Sequence, residues 1–421
     1  MNPISDADVI VVGAGPGGSA AAARLALSGR RVLLLEAATF PRDKVCGDVL
    51  LPEIDALLAA IRTDLRTLAP DARCLGGCVY TAPGGQRITG EMRDAHGIVR
   101  PWRILPRLVF DHRLAEHACR CGAQLREEHR VVEVEWEAER ARNVVHIRTP
   151  GGTATLTAPI VIGADGATSR VARSRGLRPS AADRSANLCV ALRTYVPWTD
   201  SQPSFEVITD HALGAGCCWI VPGPDGRANV GIGLVDPGRE SRAGSLHAHL
   251  ERVLGGRVDF TQASSPAGWQ LPFGDLRRRA TADGLLLVGD AAGFIDPFTG
   301  HGIHTAIHSG LLAARAAEEA LATGDVRASA PPFRAYERAW KRRFGRDFLL
   351  GRWLQWTMRR AHASPWMIEL IVNRAAHNRR WADRFMGLVG HALPKTHILH
   401  PGFLLDFIRS DAAWRRRRQV A

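Results

Sequence analysis

The chain reads as an α/β protein in three parts. These are a Rossmann-like nucleotide-binding domain built from separated segments, a mixed or antiparallel β-sheet domain, and a C-terminal helical region. Three observations predict it. Near the N-terminus a short apolar strand runs straight into a glycine-rich turn and an Ala/Leu helix. From about residue 175 to 274 the pattern becomes short alternating runs separated by turn residues. Beyond about residue 331 the period is helical, and arginine and tryptophan accumulate.

The first strand, Ala7 to Val12, is followed directly by Gly13-Ala-Gly15-Pro-Gly17-Gly18 and a helix from about Ser19 to Ser28. A second strand, Arg31 to Leu35, ends at Glu36. This is a dinucleotide fingerprint in its required context. Gly13 allows the tight turn, Gly15 the close approach of a pyrophosphate, and Gly18 the packing of helix on strand; Gly17 belongs to the same run. Glu36 is placed to bind both hydroxyls of an adenosine ribose. An acid there disfavours a 2′-phosphate, so the tight ligand is FAD or NAD rather than NADP.

Two more strands end in an acid. Val161-Ile-Gly-Ala-Asp165-Gly166 is one; Leu285 to Val288, ending in Gly289-Asp290, is the other. The latter continues through Pro297 and Gly300-His301-Gly302 into a helix from Ile303 to about Thr323. A nicotinamide dehydrogenase needs only the first motif. A flavin, with its ribityl chain and ring, needs contacts from distant segments, so the three together favour FAD. The N–H groups near Gly302 and Ile303 would serve the negative N1–C2=O locus of a reduced flavin.

At these residues the chain resembles the geranylgeranyl reductase family within the FAD-dependent hydroxylase-type (p-hydroxybenzoate hydroxylase-like) flavoproteins. Phe40 to Asp48, with Lys44, Cys46 and Gly47, is similar to that family's KxCGxG segment beside the flavin. Arg107 to Leu114 resembles its RxxFDxxL helix start, whose arginine contacts FAD. Leu285 to Ile303 resembles GDAAGxxxPxxGxGI, and Leu393 to Leu405 the family's C-terminal end. The resemblance implies flavin-proximal roles for Cys46, Gly47 and Arg107. From composition alone, Cys46 reads equally as a small buried thiol, and Arg107 as a surface ion pair with Asp111.

The expected nucleotide-binding segments are 1–75, 105–174 and 275–330. Strands in 76–104 and 175–274 would form the sheet domain, and 331–421 the helical region. A sheet lobe over a dinucleotide domain leaves a cleft for substrate. Gly216 to Pro222 resembles the family's GYxWxFP strand, with Cys217 and Val221 where aromatics are usual. Trp219 and Cys217 are therefore the candidate substrate-wall residues, and Trp219 reads equally as a plain core aromatic. Val49 replaces the last glycine of KxCGxG, and His301 a common glutamate. The related halogenases use a lysine, and no lysine occurs between Val45 and Trp340.

The net charge of +13 arises entirely after residue 333, where 19 Lys/Arg face 6 Asp/Glu; the first 333 residues balance at 36 each. Six of the eleven tryptophans (Trp340, Trp353, Trp356, Trp366, Trp381, Trp414) lie in that region, which ends in Arg415 to Arg418. It reads as a helical cap, as a peripheral contact with the inner membrane face, or as a nucleic-acid surface; no reading module accompanies the charge, which disfavours the last. The eight cysteines form no CxxC pair, so reduced thiols and no metal site are expected. No apolar window spans a membrane, and a cytoplasmic location is expected.

The sequence thus points to an FAD-dependent oxidoreductase that consumes NADH or NADPH and acts on a bulky hydrophobic metabolite. Reduced flavin has two fates. The altered pocket strand and His301 favour a monooxygenase working through a flavin hydroperoxide on an aromatic or prenylated substrate. The alternative is geranylgeranyl-reductase-type reduction of isoprenoid C=C bonds; a non-catalytic flavin- or membrane-binding protein is a further one. His301, which reads as a proton relay near neutral pH or equally as a spacer in a glycine turn, and Cys46 are the candidate catalytic residues.

Overall fold

The computed structural model describes residues 5–178, 187–199, 204–214, 216–235, 243–362, 372–373, 375, 378–403 and 405–407. Its first sheet has six strands in the order Thr281–Ala282, Leu285–Leu287, Ile160–Gly163, Val9–Val12, Val32–Leu35, Gln124–Arg126. All neighbours are parallel except the first pair. Val9–Val12 is buried at every position, as a parallel strand covered on both faces must be, which explains its unbroken apolar run. Helix Pro16–Leu27, with proline in its first turn, packs against helices Arg107–Arg120 and Ile303–Thr323. Gly13, Glu36, Asp165 and Asp290 all stand just past the carboxyl ends of parallel strands, where ligands bind in open α/β sheets.

The second sheet has seven strands in the order Ala267–Pro272, Leu188–Pro197, Arg227–Val235, Cys217–Pro222, Ser204–Ile208, Gly77–Thr81, Arg87–Glu91. It is mixed: Ser204–Ile208 joins Gly77–Thr81 in parallel, and every other pair is antiparallel. Alternation gives it two apolar faces. Leu192, Ile220, Val230 and Ile232 cluster with Leu246 and Leu250 of helix Ala243–Leu254. Ala191, Trp219, Val221 and Gly233, their neighbours in sequence, face a cavity shared with the first sheet.

Helix Pro331–His362 buries Tyr336, Trp340, Phe344 and Phe348, one residue per turn, and the last three pack against Phe294. The Tyr336 hydroxyl donates to the Leu287 carbonyl at 2.6 Å, tying this helix to the strand that leads to Asp290. The same helix leaves Leu349, Trp353 and Trp356 about half exposed. Trp381, on helix Arg379–Val389, is buried against Phe403 and Phe407. Trp366, Trp414 and the Arg415–Arg418 run lie outside the described residues. No helix among the described residues is long and apolar enough to cross a membrane.

Candidate active site

A cavity of about 830 Å³ opens between the two sheets. Its wall includes Gly13, Gly15, Gly17, Glu36, Cys46, Gly47, Arg107, Asp165, Cys217, Trp219, Asp290, His301, Gly302 and Ile303. Of the residues expected at the site, Gly18 alone is off the wall. A Cβ on it would stand 1.9 Å from the Gly13 carbonyl oxygen, so its role is the close crossing of helix and strand. Gly13 has φ +99°, and a Cβ there would meet the Ala164 carbonyl at 2.5 Å. Both contacts require glycine.

Two helix N-termini open on this wall, at Gly15 and at Gly302, and neither has a side-chain cap. Free N–H groups and the positive dipole end suit a pyrophosphate at the first and a developing negative charge at the second. Glu36 accepts from the backbone N–H of Ala14, Ala37 and Ala38, which fixes its carboxylate at the end of its strand. Arg42 lies 3.2 Å from Glu36 and donates to Asp111 at 2.9 Å. Arg107 makes two parallel hydrogen bonds to Asp111, at 2.6 and 2.7 Å. That pair is buried, not on the surface. Burial opposes the Arg107 charge, but Asp111 and Cys46 hold its pKa above the ordinary value. The Asp165 carboxylate accepts from the Ser169 hydroxyl and the N–H groups of Arg170 and Val171, so it anchors the helix Arg170–Ser174. Lys44 stands 3.6 Å from Asp290 and 4.1 Å above the Trp269 ring.

This cradle fits FAD. The glycine turn leaves room at Gly15, where an added Cβ would meet nothing nearer than Arg42 at 3.8 Å. The acid, the two uncapped helix starts and the third strand end line one continuous cavity.

The loop carrying Cys46 is stitched to the second sheet. Asp48, buried and in left-handed conformation at φ +61°, accepts from Tyr195 Oη at 2.6 Å, Asn229 Nδ2 at 2.7 Å and Arg107 N at 3.2 Å. Burial pushes its carboxyl up to about 6, with Tyr195 and Asn229 opposing. Asn229 also donates to the Cys46 carbonyl and accepts from the Trp219 indole at 2.9 Å. Arg193 reaches both oxygens of Asp43 at 2.8 Å. Trp219 lies over Gly231, where a Cβ would come within 2.2 Å of the ring. Desolvation pushes the Cys217 thiol up to about 11, so it is a protonated wall group.

His301 meets Trp102 edge to face at 5.1 Å, and Trp102 stacks on Phe205 at 4.0 Å. Burial lowers His301 to about 4, so the imidazole is neutral at physiological pH and not poised to titrate there.

The family model described as "FAD binding domain" matches residues 6–325. The digeranylgeranylglycerophospholipid reductase of Methanosarcina mazei is 33% identical over 351 residues, covering 81% of this chain and 82% of that one. The chain belongs to the geranylgeranyl reductase family of FAD-binding flavoproteins. A menaquinone reductase of Mycobacterium tuberculosis is 32% identical over 327 residues, 75% of this chain and 77% of its own. A geranylgeranyl bacteriochlorophyll reductase-like protein of Thermoplasma acidophilum superposes with a TM-score of 0.76 at 25% identity, covering 96% and 99% of the two chains. The protein is thus an FAD-dependent oxidoreductase, as its motifs indicate. Reductases are among the relatives that are at least 30% identical over more than two thirds of its length.

Several residues at the wall or just behind it escape a reading by motif. Asp48, Tyr195, Arg193 and Asn229 form the seam between the sheets, and Arg42 bridges Glu36 and Asp111. The available signal is polarity out of place: Arg193 and Asn229 interrupt otherwise apolar strands. Lys44 lines the cavity one residue before the lysine-free stretch begins.

Proposed function

We propose that the protein saturates carbon–carbon double bonds of a polyprenyl chain, with NADH or NADPH as the source of hydride. One observation carries this reading: the cavity is continuous from the nucleotide cradle into a chamber walled by Trp102, Phe205, Val207, Trp219, Val221 and Phe385. Charged wall groups such as Glu36, Lys44, Arg107 and Asp290 belong to the nucleotide side. A flexible apolar chain fits such a chamber, because burying it releases water and asks for no polar partner.

FAD, when bound, supplies the two-electron carrier between nicotinamide and substrate. The chain's own residues do the rest. The helix start at Gly302 and Ile303 favours negative charge at the ring end, and Glu36 orients the adenosine end. Trp219, held by Asn229, keeps one chamber wall rigid and dry. The short side chains Cys217 and Val221 widen that wall beside it.

The relatives' reductase chemistry supports this reading over oxygen insertion. The half-exposed Leu349, Trp353 and Trp356 share a helix with the wall residues Gln355 and Met358. That arrangement suits a peripheral membrane contact delivering a lipidic substrate.

The test is a reaction under argon with NADH or NADPH and, separately, a geranylgeranylated lipid and menaquinone. Mass gains of two hydrogens per bond are expected without dioxygen. Product that forms only with dioxygen and gains an oxygen atom would overturn the reading.

A further inference from the structure

Behind the helix start at Gly302, three residues from distant parts of the chain converge. Glu53, His304 and His391 bring one carboxylate oxygen and two ring nitrogens within 4.8 Å of one another. His304 Nε2 is 3.5 Å, and His391 Nδ1 3.9 Å, from Glu53 Oε1. We propose that Glu53, His304 and His391 form a binding site for one divalent transition-metal ion, zinc being the best match.

Two imidazoles and a carboxylate are a set that borderline cations accept, with bonds of about 2.0–2.2 Å. Such bonds put ligand atoms roughly 3.3 Å apart, so small side-chain rotations close the present triangle. The outer groups on His391 and Glu53 are arranged as a metal site needs. His391 turns its other nitrogen to Thr299 Oγ1 at 2.9 Å, with Asp296 beyond at 3.9 Å. Such a partner fixes the tautomer of a ligating histidine. Arg343 holds Glu53 Oε2 at 3.0 Å, leaving Oε1 for the ion. His304 is buried, and its Nδ1 has no hydrogen-bond partner.

The nearby charges are compatible. Glu53, Asp296 and Asp347 supply three carboxylates against the cations Arg343 and Lys395, which they already pair. The ion would pin three elements: the segment after strand Val49–Leu50, the first turn of helix Ile303–Thr323, and the chain beyond helix Arg379–Val389. It lies behind the pocket wall and takes no part in hydride transfer, so it stands independently of the proposed reaction.

The flavin-loaded protein, equilibrated with micromolar zinc chloride and freed of excess, is assayed by elemental analysis. About one zinc per chain is expected, with affinity falling on the order of 100-fold in Glu53→Gln and His391→Gln. His308→Gln, on the same helix outside the cluster, should bind as the parent does. Less than about a tenth of an equivalent in the parent, or equal affinity in the variants, overturns the site. If the variants do not fold, the parent alone decides: a chelator should lower its melting temperature and zinc restore it, and an unchanged melting curve counts against the site.

Discussion

Gly17 and Gly310 touch where two helices cross. A Cβ on Gly310 would stand 2.2 Å from the Gly17 carbonyl oxygen, and one on Gly17 would stand 2.9 Å from that of Ala306. The helices are Pro16–Leu27 and Ile303–Thr323, whose N-termini both open on the cavity. This crossing therefore sets the distance between the two helix starts, the proposed pyrophosphate and ring ends of the cradle. Gly310→Ala forces the helices apart against backbone, which does not yield as a side chain would. A loss of about 1–3 kcal/mol is expected, with weaker flavin retention. Thermal denaturation and the flavin-to-protein absorbance ratio after gel filtration check both.

Asp48 carries the seam between the sheets, and its pKa sets the direction of a second test. Folding raises the carboxyl from the ordinary 3.8 to about 6, chiefly by burial. The folded state then holds more protons than the unfolded state between those values. Stability from this group is therefore present at low pH and lost as pH rises from about 4 to 6. Asp48→Asn removes that slope, and asparagine tolerates the left-handed backbone at this position. The variant should be less stable than the parent at pH 4, through its mismatched amide at Arg107 N, and the gap should narrow toward pH 7. Urea denaturation across that range reads it; a gap that widens with pH would contradict the assignment.

The nucleotide cradle was legible because its physics is local. A buried strand, a turn that tolerates no Cβ and a helix start lie side by side in sequence, so Gly13 to Glu36 announces itself. The seam and the histidine cluster are different. Asp48 meets Tyr195 and Asn229 across more than a hundred residues, and Glu53 meets His304 and His391 across still more. No spacing rule reaches that far. His301 shows the limit in another form: its position beside the pocket follows from the motif, but its titration depends on what buries it. The choice between reduction and oxygenation was not legible either, because both use the same cradle and differ only in the chamber beyond.

His301 therefore yields a prediction opposite to that of a neutral-pH proton relay. Burial lowers it from 6.5 to about 4. The activity profile from pH 6 to 8 should carry no limb from this residue, and His301→Gln should keep its shape whatever it does to the rate. Stability runs the other way from Asp48. The unfolded state gains the proton first, so His301 contributes stability above 6.5 that is lost as pH falls toward 4. His301→Gln should accordingly blunt part of the acid-induced loss, as melting temperature against pH would show. A shifted activity limb near 6.5 in the variant would argue for titration at the pocket after all.

Cys217 tests the chamber itself. It faces the cavity beside Trp219, on a strand whose neighbour offers only Gly231 and Gly233 opposite. Cys217→Phe restores an aromatic wall and fills space that the parent leaves open. Because a Cβ at Gly233 would already lie 3.4 Å from Cys189 and 3.7 Å from Trp219, the ring cannot tuck into the sheet and must enter the chamber. For a substrate that threads this space, kcat/KM should fall on the order of tenfold for a twenty-carbon prenyl chain. A ten-carbon chain should change far less, and flavin content should not change. Steady-state kinetics over a series of chain lengths gives the comparison. An equal loss at every length would mean that the ring disturbs the flavin side rather than the tail, and Cys217 would then not be a length-selecting residue.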